Sequence, residues 1–138
     1  MKHAFRSLFC IAALALLVAG CETKPVRHVR STQTVVLSPD KPSPDVEVEV
    51  VTDVKIVLPG PDPGSGLEWE IVSNNIKCLD QTSALKLAPA VPGAAPTTTV
   101  TYYALRPGKS TLRFMLVRPN EAVAVPLAKC VVLVRVVD

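Results

Sequence analysis

Short segments of alternating polarity, separated by prolines, constrain the fold of this chain most strongly. A period of two places successive side chains on opposite faces of a strand, so each segment predicts a strand with one buried face. The clearest segments are residues 46–50, 54–58, 67–71, 112–116 and 129–137. Thirteen prolines among 138 residues disfavour helices and end strands. The sequence therefore predicts an all-β fold.

A Pro-Gly pair marks the tightest predicted turn. Residues 106–109 read Arg-Pro-Gly-Lys, in which the proline presets φ and the glycine accepts a positive φ. We predict that the segments on either side form a hairpin, and that its second strand ends at Arg118 and Pro119 because proline cannot donate to a sheet. A turn is also predicted at Thr52 and Asp53.

The spacing of these segments predicts three regions along the chain. Residues 46–138 form a domain close in length to the ~100 residues of an immunoglobulin-like antiparallel β-sandwich. Residues 21–45 are mixed, charged and proline-bearing, and are typical of a flexible tether. Within the tether, residues 34–37 are a candidate short strand at a sheet edge. Residues 1–20 precede it and are predicted to be removed.

The first twenty residues have the layout of an export signal. Lys2 and Arg6 precede an uncharged apolar run over residues 8–19, which is too short for the ~20 residues of a membrane span. The run ends Leu-Val-Ala-Gly-Cys at Cys21, which resembles the lipobox of bacterial lipoproteins. The resemblance implies that Cys21 is lipidated and that the protein is anchored to the cell envelope. Glu22 favours the outer membrane, facing the periplasm. An ordinary secretory signal is the alternative.

Charge and residue types exclude several functions. Loss of Lys2 and Arg6 leaves 13 basic and 12 acidic side chains, too even a balance for a nucleic-acid partner. His28 is the one remaining histidine, and it stands in the tether without acidic or cysteine neighbours. No Gly-rich phosphate loop and no Cys/His cluster at zinc spacing is present. We therefore predict no enzyme activity, no metal and no cofactor.

Cys78 and Cys130 are the two cysteines of the predicted domain. An exported chain meets an oxidising compartment, which favours a disulfide between them. Two reduced cysteines packed in the core are the alternative.

The domain also resembles the chagasin-like inhibitors of papain-family cysteine peptidases. Residues 62–69, Asp-Pro-Gly-Ser-Gly-Leu-Glu-Trp, are similar to the first loop of that family, and residues 104–108 match its Ala-Leu-x-Pro-Gly turn. Gly93 falls in the glycine-rich second loop, and Arg118 with Pro119 begins the third. Gly64 departs from the pattern, and so do Leu67 and Asn120, which stand where the family has aromatic residues.

The resemblance implies an immunoglobulin-like sandwich that wedges three loops into the cleft of a papain-like cysteine peptidase. The residues implied to contact the peptidase are Asp62, Pro63, Gly64, Ser65, Gly66, Gly93, Arg118 and Pro119. Such a protein would be a reversible, membrane-anchored inhibitor. The alternative is a non-inhibitory protein-binding or envelope-assembly module that kept the scaffold.

Overall fold

The computed structural model describes residues 30–74, 77–89, 91–121 and 125–138. All regular structure in these ranges is β-strand, as predicted. The nine strands are β1 (Ser31–Val36), β2 (Asp45–Glu49), β3 (Thr52–Pro59), β4 (Glu68–Asn74), β5 (Leu79–Gln81), β6 (Lys86–Leu87), β7 (Thr97–Ala104), β8 (Gly108–Val117) and β9 (Ala128–Val137).

The strands form two sheets. The first has the order β1-β3-β7-β5, with the short β6 also paired to β7, and the second has the order β2-β9-β8-β4. Most neighbours are antiparallel, but β1 runs parallel to β3 and β2 runs parallel to β9. The predicted all-β sandwich is confirmed, with one parallel pair at an edge of each sheet.

The core lies between the two sheets and is filled by alternate residues of the central strands. Val54, Ile56 and Leu58 of β3 are fully buried, and so are Phe114 of β8 and Val132 of β9. The predicted inward face of β9 is confirmed, because its even-numbered residues from 130 to 136 are all buried. The odd-numbered residues from 131 to 137 are half-buried. The alternation therefore follows the period of a strand with one face in the core.

The predicted hairpin around Pro107 is wrong. β7 belongs to the first sheet and β8 to the second, so the Arg-Pro-Gly-Lys connection crosses from one sheet to the other. The backbone groups at the end of β7 bind elsewhere: Ala104 accepts a hydrogen bond from Val51 N (2.9 Å), and Leu105 N donates to Cys78 O (2.9 Å). The alternating pattern and the turn residues are compatible both with a hairpin and with a connection between the sheets. The hydrogen bonds to Val51 and Cys78, which are distant along the chain, favour the connection between the sheets.

The folded part begins before residue 46. β1 forms the edge strand that was predicted for residues 34–37, and Val35 and Leu37 are buried in the core. The limits of the tether themselves stay a prediction. The turn predicted at Thr52 and Asp53 is displaced: the residue with positive φ is Val51 (φ 68°), and Thr52 is buried as the first residue of β3.

The predicted disulfide is absent, since Cys78 and Cys130 are both buried free thiols. Cys78 Sγ lies 2.8 Å from Ser110 Oγ, and Ser110 pairs with Val134 across the sheet. Cys130 stands four residues from Val134 along β9, which corresponds to ~13 Å at the rise of a strand. Cysteines that are bridged have Cα atoms within ~7 Å, so the register keeps these two apart.

Candidate functional site

Three connections between strands meet at one end of the sandwich, which we call the loop end. They are the first loop (residues 60–67), the second loop (residues 88–96) and the third loop (residues 118–127). Strand register brings them together, because Pro59 pairs with Thr97, Glu68 with Val117 and Leu116 with Ala128. The structure thus collects at one end the residues that the sequence singled out in three separate segments.

The first loop is built around a tight turn. Ser65 N donates to Asp62 O (3.0 Å), with Pro63 at the second turn position and Gly64 (φ 80°) at the third. Proline followed by a residue of positive φ is the pattern of a type II turn. Gly66 also has a positive φ (68°), and Leu67 N donates to Ser65 Oγ (3.3 Å). Local hydrogen bonds therefore fix the shape of the tip.

The second loop repeats the same turn chemistry. Ala94 N donates to Val91 O (3.0 Å), with Pro92 and Gly93 (φ 84°) between them. A Cβ added to Gly64, Gly66 or Gly93 would meet no atom within 4 Å. The glycines of both loops therefore face open space and leave room for a partner to approach the backbone closely.

The third loop has a related local geometry. Pro119 precedes Asn120, whose φ is 72°. Asparagine is among the few side chains that adopt this region readily, so it takes the place that glycine has in the other two loops. Asn120 therefore marks a turn rather than an anchor, which the sequence alone did not reveal.

Two hydrogen bonds tie the bases of the first two loops to the sandwich. Trp69 is buried, as predicted, and its Nε1 donates to Pro59 O (2.7 Å) across the first loop. Gly60 N donates to Pro96 O (2.7 Å), which joins the first loop to the second. A Cβ on Gly60 would lie 2.6 Å from Pro96 C, so only glycine allows this approach without displacement.

Arg118 is engaged within its own loop. Its Nη1 donates to Glu121 Oε1 at 3.2 Å, and both side chains are about half exposed. A docking partner with an acidic rim would have to compete with Glu121 for this guanidinium. An exposed pair of this kind contributes little to stability.

A fourth proline turn lies at the base of the loop end. Lys41 N donates to Ser38 O (3.2 Å), with Pro39 at the second turn position. Because β1 runs parallel to β3, its C-terminal end points to the loop end as well. This segment belongs to the predicted tether, although its Ser-Pro-Asp-Lys pattern has proline at the same position as the Asp-Pro-Gly-Ser turn of the first loop.

Sequence reasoning also missed a group of exposed apolar side chains at the loop end. They are Leu87 (52 % exposed), Val91 (62 %), Val125 (66 %) and Leu127 (61 %). The signal was available in the sequence, because valine or leucine adjoins a proline at residues 91–92 and 125–127. Apolar residues in such proline-containing loops lie outside the strands that form the core, and they are therefore candidates for exposure.

Within the described residues, no side chains are arranged to hold a metal, and one buried thiol has a raised pKa. No group of three or more His, Cys, Asp or Glu side chains in these ranges is arranged to hold a metal. Burial, followed by the nearby Asp40 carboxylate, raises the pKa of the Cys130 thiol to about 11 and keeps it uncharged at neutral pH. Cys21, the predicted lipidation site, lies outside the described residues. Within the part of the chain that the structure describes, no helix is long and apolar enough to cross a membrane.

Solved structures similar to this chain are small β-sandwiches. A cysteine protease inhibitor of Entamoeba histolytica, EhICP2, aligns with a TM-score of 0.62 at 19 % identity, over 77 % of this chain and 97 % of its own. Amebosin aligns with a TM-score of 0.52 at 17 % identity, over 78 % and 98 %. PbICP-C, solved in complex with falcipain-2, aligns with a TM-score of 0.51 at 14 % identity, over 78 % and 92 %.

These alignments establish the fold class, an immunoglobulin-like β-sandwich. The family follows from a second comparison. The model of the chagasin family of peptidase inhibitors, I42, matches residues 47–134, which include all three loops. The chain belongs to this family, and the predictions that it is chagasin-like and not an enzyme are confirmed. No curated protein sequence matches it significantly.

Proposed function

We propose that this protein is a reversible inhibitor of papain-family cysteine peptidases that inserts its first loop into the active-site cleft. The observation that carries the proposal is the turn over residues 62–65, a tip of the loop end whose backbone is held by a hydrogen bond between Ser65 N and Asp62 O. Membership of a peptidase-inhibitor family supports the inhibitory activity. PbICP-C, which shares the fold, was solved in complex with falcipain-2 and supports the partner class.

The tip suits occlusion for two physical reasons. Its residues are small, and the open space around Gly64 and Gly66 allows the backbone to approach a catalytic cysteine and histidine closely. Pro63 and the hydrogen bond between Ser65 N and Asp62 O hold one conformation, so little conformational entropy is lost on docking. A rigid turn also resists adopting the extended backbone that a peptidase cleaves.

The second and third loops would flank the cleft. Gly93 lies at the tip of the second loop, and Arg118 with Pro119 begins the third. The hydrogen bond between Gly60 N and Pro96 O holds the first two loops at a fixed separation. Such a three-part contact occludes the active site sterically and needs no chemical step.

A titration of purified residues 22–138 against papain tests the proposal. We expect competitive inhibition by the parent protein and its loss in Ser65→Trp, which adds bulk to the tip. Ser65 is preferable to Gly64 as the test position, because Gly64 has a positive φ that strains any large side chain. A Leu105→Trp control adds the same bulk at an exposed position at the opposite end of the sandwich and should inhibit as the parent does. Equal inhibition by Ser65→Trp and the parent would refute insertion of this loop.

A second candidate function is a non-inhibitory protein-binding or envelope-assembly module. The ion pair between Arg118 and Glu121 favours it, because the cation of the third loop is already engaged. Absence of inhibition at tens of micromolar, for papain and for related peptidases, would favour this alternative. Affinity capture from the cell envelope would then be the next experiment.

We also propose that Cys21 carries lipid and anchors the protein to the bacterial envelope, at the outer membrane and facing the periplasm. The apolar run over residues 8–19 and its Leu-Val-Ala-Gly-Cys ending support this proposal. Metabolic labelling with a palmitate analogue should label the parent protein and not Cys21→Ser. Labelling of both, or of neither, would contradict lipidation at Cys21.

A further inference from the structure

The exposed apolar side chains of the described residues are concentrated at the loop end. Eight large apolar side chains are exposed, and Leu87, Val91, Val125 and Leu127 belong to the second and third loops or to β6 beside them. Val91 and Leu87 lie on the side of the first sheet, whereas Val125 and Leu127 follow β8 of the second sheet. The apolar groups therefore flank the first loop on two sides.

A cleft accompanies the apolar group on the side of the first sheet. It has a volume of about 400 Å³ and runs between the first loop and β6. Leu67, Trp69 and Leu87 contribute to its lining. Leu67 replaces an aromatic residue of the family pattern, and a smaller side chain at this position leaves more open space beside the loop.

The charged residues at the same surface are few and of both signs: Glu68 lines the cleft, and exposed Lys86 precedes Leu87 in β6. The tip of the first loop carries one charged residue, Asp62, and no large apolar side chain. Arg118 is paired with Glu121. Favourable contacts with a partner must therefore come mainly from the apolar residues on either side, whose removal from water is the general driving force for association.

We propose that Leu87, Val91, Val125 and Leu127 form an apolar rim that contacts the walls of the peptidase cleft on both sides of the first loop and supplies much of the binding affinity. The occupant is a papain-like peptidase whose active-site cleft has apolar walls on both sides. A side chain from one of these walls enters the inhibitor's own cleft, which is lined by Leu67 and Leu87. Val125 and Leu127 provide the apolar contacts of the third loop, in which Asn120 replaces the aromatic residue of the family pattern. This inference rests on the proposed inhibition of cysteine peptidases.

Aspartate substitutions within and outside the rim test the inference. Val91→Asp and Leu127→Asp change the rim on either side of the first loop. Leu105→Asp is the matched control, because Leu105 is 51 % exposed and lies at the opposite end of β7. All three positions are exposed, so the variants should fold, and thermal unfolding verifies this. The assay is the Ki for papain at 50 mM and 500 mM salt.

Each rim variant should raise Ki about tenfold or more, since burying a valine or leucine side chain corresponds to a factor of roughly ten to a hundred. The Ki of the parent should change little with salt, because apolar contacts are not screened. Leu105→Asp should inhibit as the parent does. If the parent inhibits and the rim variants match it, the rim is refuted while the proposed function stands. If the parent does not inhibit, both are overturned.

Discussion

Gly60 is expected to be the most sensitive position of the loop end, and a substitution there tests how the first two loops are held. It does not have a positive φ, so alanine is acceptable to its backbone conformation. The obstacle is steric, because the new Cβ would lie 2.6 Å from Pro96 C and 2.8 Å from Pro96 O. Ordinary contact begins near 3.4 Å, so Gly60→Ala requires the loops to separate by about 0.8 Å.

The cost follows from that displacement. Overpacking of this kind costs about 1–3 kcal/mol. Stretching the 2.7 Å hydrogen bond between Gly60 N and Pro96 O adds about 1 kcal/mol. Restriction of the unfolded chain by alanine offsets up to ~1 kcal/mol. We expect a net loss of about 2 kcal/mol in the free energy of unfolding, equivalent to a decrease of about 10 °C in Tm for a domain of this size.

Gly66 provides the matched comparison. Its φ is 68° and a Cβ would meet nothing within 4 Å, so its constraint is conformational and not steric. Asparagine should therefore be better tolerated than alanine at Gly66, because it adopts positive φ more readily. At Gly60 the order should be reversed, since asparagine is larger. The Tm values of the four variants, measured by thermal unfolding, test both predicted orders of stability. A Gly60→Asn variant at least as stable as Gly60→Ala would refute the steric reasoning.

Three further perturbations probe other parts of the domain. Trp69→Phe removes the hydrogen bond to Pro59 O and should lower the free energy of unfolding by about 2 kcal/mol, measured in urea by circular dichroism because Trp69 is the only tryptophan. Val51→Gly relieves a β-branched side chain at φ 68° and should raise Tm, since positive φ costs about 1–2 kcal/mol for such residues; an unchanged or lower Tm would contradict this. The raised pKa of Cys130, about 11 against 9.0, means that the folded state holds this proton more tightly. Its stabilising contribution is therefore complete below pH 9 and lost as pH rises towards 11, and Cys130→Ala should weaken that decline in urea titrations at pH 8 and pH 10.5.

Local chemistry was predicted well from the sequence, whereas partners distant along the chain were not. The alternation of residues 129–137 predicted which side chains of β9 are buried, because a strand has a fixed period of two. The turn of the first loop could also be predicted from the Asp-Pro-Gly-Ser sequence, since its geometry depends on adjacent residues. Both are properties of a few consecutive positions.

Pairing between strands depends on information that alternation does not contain. The segments on either side of Pro107 have the same inward and outward pattern whether they pair with each other or join opposite sheets. The disulfide prediction was wrong for a similar reason: the oxidising compartment favours a bridge, but the register of β8 against β9 sets the separation of Cys78 from Cys130. The apolar rim escaped notice because exposure is a property of the assembled fold.

The described part of the chain begins at the end of the sandwich opposite the loop end. Arg30, the first residue that the structure describes, is held at the end remote from the loops by Asp53 (3.0 Å) and by the ring of Tyr103, 4.4 Å from its guanidinium. Eight residues lie between Cys21 and Arg30, so the nine steps from one Cα to the other span at most ~30 Å. A lipid on Cys21 would therefore hold the domain by the end that makes no proposed contact with a peptidase. A tether that enters the domain at Arg30 would leave the loop end accessible to a peptidase.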